Sequence, residues 1–317
     1  MTKFELAGKR VWVAGHRGMV GSAIVRRLSR EAAHLQTAER RALDLRRQDD
    51  VAAWMERNRP QVVFLAAAKV GGILANSRLP VEFLEDNLAI ALAVIPAAAR
   101  CGVEKLVFLG STCIYPKFAP QPIREEALLD GGLEPTNEFY AIAKIAGLKL
   151  AQAYRRQKGC DFISVMPTNL YGPGDNFDLE GGHVVPALLR KAHEAKTTGA
   201  ASVTLWGTGA PRREFLHVDD LADALVFLMQ HYSDERHINI GTGIDISIRD
   251  LMRLICDIVG FGGEIVLDRG KPDGTPFKCS DIARLKALGW TPSIELRAGL
   301  TSTYRWFLDN IATARTG

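Results

Sequence analysis

The chain has 317 residues, of which 47% are hydrophobic and 24% charged, and its formal net charge is +4. This composition is typical of a folded globular protein and excludes a disordered or low-complexity chain. The basic residues are spread along the chain, whereas binding of duplex nucleic acid needs them concentrated in a patch. We therefore expect no nucleic-acid partner, while a small positive charge suits an anionic substrate.

Neither the cysteines nor the apolar segments indicate a secreted or membrane protein. The five cysteines show no CxxC spacing, so we expect neither a disulfide framework nor a metal site. The longest apolar run, Leu88 to Ala99, contains Pro96 and is too short to cross a bilayer. No apolar signal region precedes the first strand. We therefore expect a cytoplasmic protein without a membrane partner.

Strand-like apolar runs alternate with amphipathic helical stretches through the first half of the chain. Strands are predicted at Val11 to Ala14, His34 to Thr37, Val62 to Ala67, Leu106 to Gly110 and Phe162 to Met166. This alternation predicts βαβ units, and therefore an α/β fold of the Rossmann type with a doubly wound parallel sheet. The near-continuous apolar run at residues 62–67 is typical of a strand that helices cover on both faces.

The regular alternation then loosens into a helix (Val184 to Ala195), a strand (Val203 to Trp206) and connections rich in glycine and proline. We expect residues 1–173 to form a cofactor-binding Rossmann domain. Residues 174–317 are expected to form mainly a smaller, mixed α/β substrate-binding domain. Within that stretch, residues 215–240 are predicted to return to the first domain.

A glycine-rich turn joins the first strand to a helix predicted from Ser22 to Arg30. Gly15 would permit the tight turn, Gly18 would allow close approach of a pyrophosphate, and Gly21 would let the helix pack against the strand. The N-terminus of such a helix also attracts phosphate. The turn predicts a dinucleotide site formed by Gly15, His16, Arg17, Gly18, Met19, Val20 and Gly21.

The residues after the second strand select between NAD and NADP. An acidic residue there would bind the ribose hydroxyls of NAD, whereas an arginine favours the 2′-phosphate of NADP. The chain has Glu39, Arg40 and Arg41 at this point, and Arg17 adds a planar cation from the glycine turn. We expect NADP(H), bound through Arg40 and Arg41. The alternative is that both arginines are solvated loop residues.

Tyr140 and Lys144 are four residues apart, so on a helix they project from the same face. The pKa of a phenol is about 10, and a nearby cation would stabilise its phenolate enough for proton transfer at neutral pH. Ser111 follows a predicted strand, at the edge where open parallel sheets bind ligands. Together they predict a Ser-Tyr-Lys triad for hydride transfer to a carbonyl. Alternatively, Tyr140 and Lys144 are an exposed pair and Ser111 caps a helix or turn.

Several segments carry a more specific pattern. They are residues 15–21, 66–73, 109–117, 134–147, 166–173 and 213–220. Together they closely resemble the GDP-L-fucose synthase family of extended short-chain dehydrogenases/reductases. The most specific part is the Ser-Thr-Cys-Ile-Tyr-Pro-Lys sequence around Cys113, because related sugar epimerases and dehydratases usually have other residues there. The resemblance implies an enzyme that epimerises C3 and C5 of GDP-4-keto-6-deoxy-D-mannose and reduces its C4 ketone with NADPH, giving GDP-L-fucose.

The resemblance also implies roles for individual residues. The 4-keto group acidifies the hydrogens at C3 and C5, so that a base can remove one and an acid on the opposite face can return it. Cys113 would be the base and His183 the acid, with Ser111 and Tyr140 stabilising the developing oxyanion. Considered without the family, Cys113 would be a packing residue and His183 a surface or capping residue.

The same resemblance implies the ligands of cofactor and substrate. For NADP(H) these are Leu109, Gly110, Ser111, Thr112, Lys144, Pro167, Thr168, Asn169, Leu170 and His183, in addition to the glycine turn and the two arginines. For the GDP-sugar they are Asn169, Lys191, Trp206, Arg213 and Asp273. Cations suit a diphosphate, and an indole can stack on guanine or wall it in. Asp273 also lies in a Pro-Asp-Gly sequence typical of an ordinary turn.

A homodimer is implied too, through a four-helix bundle of the helix Leu84 to Arg100 and the Tyr140 helix of each subunit. Core burial would explain the apolar content of both helices equally well. Two other functions stay open. One is a related GDP-4-keto-deoxysugar reductase or epimerase, acting for example on a 6-deoxyheptose, and the other is a non-catalytic NADP(H)-binding regulator. The presence of Cys113 and His183 favours epimerisation, and the triad favours catalysis.

Overall fold

The computed structural model describes residues 3–179, 181–271 and 273–314. Within these ranges the strands are β1 (Arg10–Ala14), β2 (His34–Gln36), β3 (Val62–Leu65), β4 (Lys105–Leu109), β5 (Asp161–Pro167), β6 (Asn169–Tyr171), β7 (Ser202–Trp206), β8 (Arg212–His217), β9 (Ile238–Ile240), β10 (Asp245–Ser247), β11 (Glu264–Asp268) and β12 (Phe277–Lys278). The helices are α1 (Met19–Leu28), α2 (Gln48–Asn58), α3 (Ile73–Arg78), α4 (Pro80–Arg100), α5 (Glu138–Lys158), α6 (Val184–Thr197), α7 (Val218–His231), α8 (Ile248–Val259), α9 (Ala283–Ala287) and α10 (Leu296–Asp309). Short 3₁₀ helices span Thr112–Ile114 and Glu125–Ala127.

The central element is a six-stranded parallel sheet in the order β2-β1-β3-β4-β5-β9. Every residue of β3 and β4 is buried, because helices cover both faces of the sheet. The direction of winding reverses at β1, which pairs with β2 on one side and β3 on the other. Open α/β sheets bind ligands beyond the carboxyl ends of the strands at such a point. The predicted doubly wound α/β fold is confirmed.

Two apolar layers hold the helices against this sheet. On one face α1 and α7 contribute buried side chains such as Ile24 and Leu225. On the other face α2, α4 and α5 contribute Val51, Val94 and Leu148. Full burial of an aliphatic side chain of this size stabilises the fold by about 1.5–3 kcal/mol. The two layers therefore fix the loops at the carboxyl edge of the sheet in defined positions.

A second, smaller sheet is built around β8, which pairs with β6 and β12 in parallel and with β10 in antiparallel orientation. β7 and β11 form a separate parallel pair. A third apolar cluster, including Leu189, Ile255 and Phe307, joins α6, α8 and α10. The chain returns to the first sheet through β9, which pairs with β5, and through α7, which packs on α1. The division at residue 173 stays a prediction.

Several element ends differ from the sequence-based expectations. β3 ends at Leu65, so Ala66 and Ala67 already belong to the loop that passes the glycine turn. Helix α1 begins at Met19 and not at Ser22, because the Gly18 carbonyl accepts the first helical hydrogen bond from Ser22 at 2.9 Å. Helix α4 begins at Pro80, since proline is well suited to the first turn of a helix.

No helix in the described ranges combines the length and hydropathy needed to cross a membrane. The same residues include no group of three or more His, Cys, Asp or Glu side chains placed to hold a metal ion. The five cysteines are all free thiols.

Candidate active site

The turn between β1 and α1 leaves no room for side chains at its glycines. A Cβ on Gly21 would lie 2.1 Å from the carbonyl oxygen of Gly15, and one on Gly15 would lie 2.8 Å from the backbone of Ala67. Gly15 also has a φ of +93°, which residues with a side chain rarely adopt. No side chain caps the start of α1 at Gly18. The first N–H groups of α1 are therefore placed to bind an anion such as a pyrophosphate.

A pocket of about 430 Å³ beside this turn is lined by Arg17, Glu39, Arg40 and Arg41. All four side chains are exposed, and Arg17 and Glu39 approach to 3.5 Å. An exposed ion pair of this kind contributes little to stability, so it does not hold Arg17 away from a ligand. Guanidinium groups around one cavity suit a phosphate, because each can donate two parallel hydrogen bonds.

Ser111, Tyr140 and Lys144 lie together at the carboxyl end of β4. Lys144 is only 4% exposed, and its Nζ donates a hydrogen bond of 2.8 Å to the carbonyl oxygen of Leu109. The Ser111 hydroxyl lies close enough to the phenol of Tyr140 to lower the pKa of that phenol. Helix α5 packs so closely on β4 that a Cβ on Gly147 would lie 2.4 Å from the Phe108 ring. The helix therefore holds the tyrosine and the lysine at a fixed distance from the strand end.

Burial sets the pKa values of this triad. Burial and the nearby Cys113 sulfur raise the pKa of Tyr140, and the hydrogen bond from Ser111 only partly offsets them. Burial lowers the pKa of Lys144 from 10.5 to about 8. The phenol is therefore protonated at neutral pH and can donate its proton, while the lysine is still charged there. The Lys144 nitrogen lies 5.8 Å from the centre of the Tyr140 ring, where its charge can stabilise a phenolate.

Cys113 lies in the 3₁₀ helix that follows Ser111, and its backbone N–H donates to the Ser111 hydroxyl at 3.2 Å. Its Sγ lies 3.4 Å from Nζ of Lys278, the last residue of β12. Burial alone would raise the pKa of this thiol. The charge of Lys278, hydrogen bonds with Ser111 and Lys278, and the charge of Arg213 together lower it below the ordinary value of a cysteine. A thiol with a lowered pKa can act as a base.

Sequence reasoning missed Lys278. It lies 165 residues after Cys113, and no motif connects the two positions. They meet because β12 pairs with β8 in the second sheet, which places Lys278 opposite Arg213. The signal that could have found it is its position shortly after Asp273, in a segment already predicted to reach the substrate.

A small pocket of about 40 Å³ opens beside Cys113 and Lys278. Glu134 lines it, forms an ion pair with Lys117 at 3.1 Å and accepts a hydrogen bond from the Thr275 hydroxyl at 3.1 Å. Polar groups from the 3₁₀ turn, from the loop before α5 and from the segment before β12 therefore meet here. Such a lining suits a hydroxylated sugar more than an apolar ligand.

His183 is the N-cap residue of α6 and is exposed. The loop before it contacts the loop after β3, where the Gly72 N–H donates to the Gly181 carbonyl at 3.0 Å. Gly71 lies against the ring of Phe83, and the centre of that ring is 6.3 Å from the centre of the Tyr140 ring. The His183 loop therefore borders the same site. Its role as an acid stays a prediction.

A second cluster lies around the half-exposed indole of Trp206. Nζ of Lys191 is 4.3 Å, and Nζ of Lys271 is 5.2 Å, from the centre of this ring. Burial lowers the pKa of Lys191. An indole flanked by two cations fits an aromatic base joined to a diphosphate. Asp273 accepts hydrogen bonds from the N–H and the hydroxyl of Thr208 at 2.9 and 2.7 Å. It therefore holds the turn that follows β7, the strand that ends at Trp206.

Arg213 connects the two clusters. Its charge faces Cys113 and Asp273, and burial lowers its pKa. Asn169 donates a hydrogen bond of 2.9 Å to the Glu214 carbonyl, which ties β6 to β8 near the same point. The other residues predicted to bind the cofactor lie at or shortly after the carboxyl ends of β1, β4 and β5, including the first turn of α1, the 3₁₀ helix after β4 and strand β6; they are His16, Met19, Val20, Leu109, Gly110, Thr112, Pro167, Thr168 and Leu170.

The chain is similar to known proteins over nearly its whole length. The model of the NAD dependent epimerase/dehydratase family matches residues 11–241. A GDP-L-fucose synthase of Sinorhizobium fredii is 57% identical over 98% of this chain and 99% of its own. The structure of a GDP-L-fucose synthetase from Naegleria fowleri bound to NADP is 31% identical, covers 99% of both chains and has a TM-score of 0.91. A GDP-6-OMe-4-keto-L-xylo-heptose reductase from C. jejuni is 36% identical over 97% of this chain and 99% of its own, with a TM-score of 0.90.

Proposed function

Because the chain belongs to the NAD-dependent epimerase/dehydratase family, we propose that it converts GDP-4-keto-6-deoxy-D-mannose to GDP-L-fucose. It inverts C3 and C5 of the sugar and reduces the C4 ketone with NADPH. The observation that carries this proposal is the position of Cys113 beside Ser111 and Tyr140. A thiol suited to removing a proton and a triad suited to reducing a ketone share one site. The similarity to GDP-L-fucose synthases over nearly the whole chain supports the same reaction.

The cofactor is NADP(H), and the residues present fit it. The glycine turn and the first N–H groups of α1 would hold the pyrophosphate, and Arg17, Arg40 and Arg41 would hold the 2′-phosphate. When bound, NADPH supplies the hydride that reduces the C4 ketone. Lys144 would act through its charge, which lowers the free energy of a phenolate on Tyr140.

In the reduction, the hydroxyls of Ser111 and Tyr140 bind the C4 carbonyl oxygen. As the carbonyl becomes an alkoxide, Tyr140 donates its proton to that oxygen. The raised pKa of the phenol favours its protonated form before the reaction, and Lys144 offsets the cost of losing the proton. Donors fixed in place before the reaction stabilise the developing charge without reorganising.

In each inversion, the Cys113 thiolate removes the proton from C3 or C5. The electrons of the broken C–H bond form an enolate, whose oxygen stays bound to Ser111 and Tyr140. His183 then returns a proton to the opposite face of the carbon, and the new C–H bond completes the inversion. One oxyanion site therefore serves the two epimerisations and the reduction.

The test is NADPH oxidation with GDP-4-keto-6-deoxy-D-mannose, followed by identification of the product, with the dTDP-linked ketosugar as control. GDP-L-fucose from the first substrate and slow oxidation with the second are expected. A second candidate, a GDP-4-keto-heptose reductase or epimerase, is favoured by the similarity to the heptose reductase from C. jejuni. It predicts faster NADPH oxidation with the ketoheptose than with the ketohexose. Retention of Ser111, Tyr140 and Lys144 argues against a non-catalytic regulator.

Replacing Arg40 and Arg41 together by alanine is expected to raise KM for NADPH about 10- to 100-fold, because charged hydrogen bonds to the 2′-phosphate are lost. KM for NADH should stay the same, since NADH lacks that phosphate. Initial rates with each cofactor measure the effect. Arg47→Ala is the control, because Arg47 pairs with Asp50 outside the pocket. Equal changes for both cofactors would show that these arginines do not recognise the 2′-phosphate.

We further propose a cytoplasmic homodimer in which α4 and α5 of each subunit form a four-helix bundle. The support is a set of exposed apolar side chains on these two helices, which pack side by side. They are Val81 and Leu92 on α4 and Phe139 and Ile142 on α5. Isolated exposed apolar residues are ordinary, whereas several on neighbouring helices are typical of an interface.

Leu92→Glu is expected to convert the dimer to a monomer, because an unpaired carboxylate would be buried at the bundle. We expect the dissociation constant to rise by at least ~100-fold, measured as molar mass by light scattering across a dilution series. Leu308→Glu is the matched control. Leu308 on α10 is 41% exposed and Leu92 is 45% exposed, so both substitutions add a charge at a similar surface. A persistent dimer of Leu92→Glu would reject this interface.

A further inference from the structure

The backbone around Lys278 is fixed by the fold. Strand β12 pairs with β8, the central strand of the second sheet. Shortly after Lys278, the Ser280 N–H donates to the fully buried carboxylate of Glu214 at 2.9 Å. The Cys279 N–H donates to the side chain of Gln121 at 2.9 Å. The hydrogen bonds of Cys279 and Ser280 therefore fix the backbone next to Lys278 and restrict the position of its ammonium group.

The partner of this ammonium is a sulfur and not a carboxylate. Among the ion pairs of the described residues, none joins Lys278 to an Asp or Glu, and its Nζ lies 3.4 Å from the Cys113 sulfur. The carboxylate in the same pocket, Glu134, is taken by Lys117 and Thr275. Because no carboxylate pairs with Lys278 among the described residues, its positive charge acts mainly on the Cys113 thiol.

The groups that face the sulfur come from every element around it. Lys278 contributes an ammonium from β12, and Arg213 contributes a guanidinium from β8. Ser111 contributes a hydroxyl from the start of the 3₁₀ turn, and Tyr140 faces the sulfur from α5. The two cations and the Ser111 hydroxyl favour the charged form of the thiol, and Lys278 is the cation in direct contact.

We propose that Lys278 holds Cys113 as a thiolate through an ammonium–thiolate ion pair, and so serves the two epimerisations but not the reduction. This inference rests on the proposed function. In each inversion the thiolate gains the substrate proton and becomes a thiol, and the ion pair is lost until that proton leaves again. Lys278 is thus a positioning residue that acts through Cys113, and no proton passes through it. The reduction depends on Ser111, Tyr140 and Lys144, which do not use this pair.

The first test measures Cys113 directly, without substrate, in the full chain with NADPH bound. Alkylation by iodoacetamide is followed against pH, and the Cys113 peptide is quantified by mass spectrometry to separate it from the other cysteines. Removal of the positive charge in Lys278→Met should raise the pH midpoint by about 1 to 3 units, because the charge that lowers the thiol pKa is gone. Lys278→Arg keeps the charge and should keep the midpoint low.

Lys117→Met is the matched control, since Lys117 lines the same pocket but pairs with Glu134. Its midpoint should stay at the wild-type value. An unchanged midpoint in Lys278→Met would overturn the proposal. Should Lys278→Met fail to fold, the wild-type chain decides. A midpoint well below the ~8.5 of an ordinary cysteine supports the ion pair, and a midpoint at or above it overturns it.

The second test separates the two chemistries with GDP-4-keto-6-deoxy-D-mannose in D₂O. Lys278→Met should lose at least ~10-fold in deuterium incorporation at C3 and C5, while NADPH oxidation continues and yields the unepimerised GDP-sugar. Equal losses in exchange and oxidation would contradict a role through Cys113 alone. If the wild-type chain exchanges no deuterium with this sugar, the proposed function fails, and the alkylation midpoints still decide whether the ion pair exists.

Discussion

Tyr140→Phe is expected to lower kcat for NADPH oxidation by about 10²- to 10⁴-fold, the usual contribution of a positioned proton donor. The variant keeps the ring, its contact with Phe83 and the packing of α5, and it loses only the hydroxyl that protonates the C4 oxygen. Lys144 then has no phenolate to stabilise, so its buried charge no longer assists the reduction. Steady-state rates and a separate titration of NADPH binding measure the effect.

The binding titration is expected to give the wild-type affinity for NADPH, since the glycine turn and the arginine pocket are unchanged. Tyr154→Phe is the control on the same helix. Tyr154 packs against Phe162, away from the strand end that carries Ser111. If Tyr140→Phe retained the wild-type rate while binding the ketosugar normally, Tyr140 would not be the proton donor.

Cys113→Ser is expected to lower epimerisation by about 10²- to 10⁴-fold and to leave reduction active. A serine hydroxyl has nearly the size of a thiol but does not ionise near neutral pH, even beside Lys278. The C4 ketone should therefore be reduced before C3 and C5 are inverted, and the product should be the unepimerised GDP-sugar. Deuterium incorporation from D₂O and the configuration of the product measure the two activities in one reaction.

Cys160→Ser is the matched control for this variant, because Cys160 is a partly buried thiol at the far end of α5, after Lys158. It should give GDP-L-fucose at the wild-type rate. GDP-L-fucose from Cys113→Ser at that same rate would remove Cys113 from the mechanism. The tyrosine variant should lose reduction and should also slow epimerisation, because Tyr140 binds the enolate oxygen as well. The cysteine variant should lose epimerisation alone, so the two reactions are separable at Cys113.

The first sheet was predictable because its signals are local. Each of β1, β3, β4 and β5 is a short apolar run between a helix and a turn, and burial on both faces makes such runs continuous. The glycine turn and the Tyr140–Lys144 spacing are local as well. Their position at the carboxyl edge of the sheet followed from the fold class alone.

The second sheet was not predictable in the same way. Strands β6 and β10 have three residues each and β12 has two, so no alternation of side chains can be recognised in them. Their pairing depends on long-range contacts such as those of Glu214 with the backbone of Thr242, Gly243 and Ser280. Lys278 contacts Cys113 because of this pairing, so the sequence alone could not predict a lysine beside the thiol.

The roles of the site residues depend partly on the resemblance to a family and partly on the geometry of the site. Cys113 taken by its residue type is a packing residue, since free cysteines are among the most buried side chains. The contact of its sulfur with Lys278 and the nearby Ser111 hydroxyl and Arg213 charge lower the pKa of the thiol and give it a basic character that the residue type does not. By contrast, His183 occupies the N-cap position of α6 and Asp273 holds a turn, so the catalytic role of the first and the binding role of the second depend on the family alone.

Whether one site performs both reactions is tested by the product that the wild-type chain forms from GDP-4-keto-6-deoxy-D-mannose and NADPH in D₂O, analysed by NMR. If one site performs both reactions, the product is GDP-L-fucose with deuterium at both C3 and C5, and one NADPH is oxidised for each molecule formed. NADPH oxidation that gives a GDP-sugar with its original configuration and no deuterium at either carbon would contradict it.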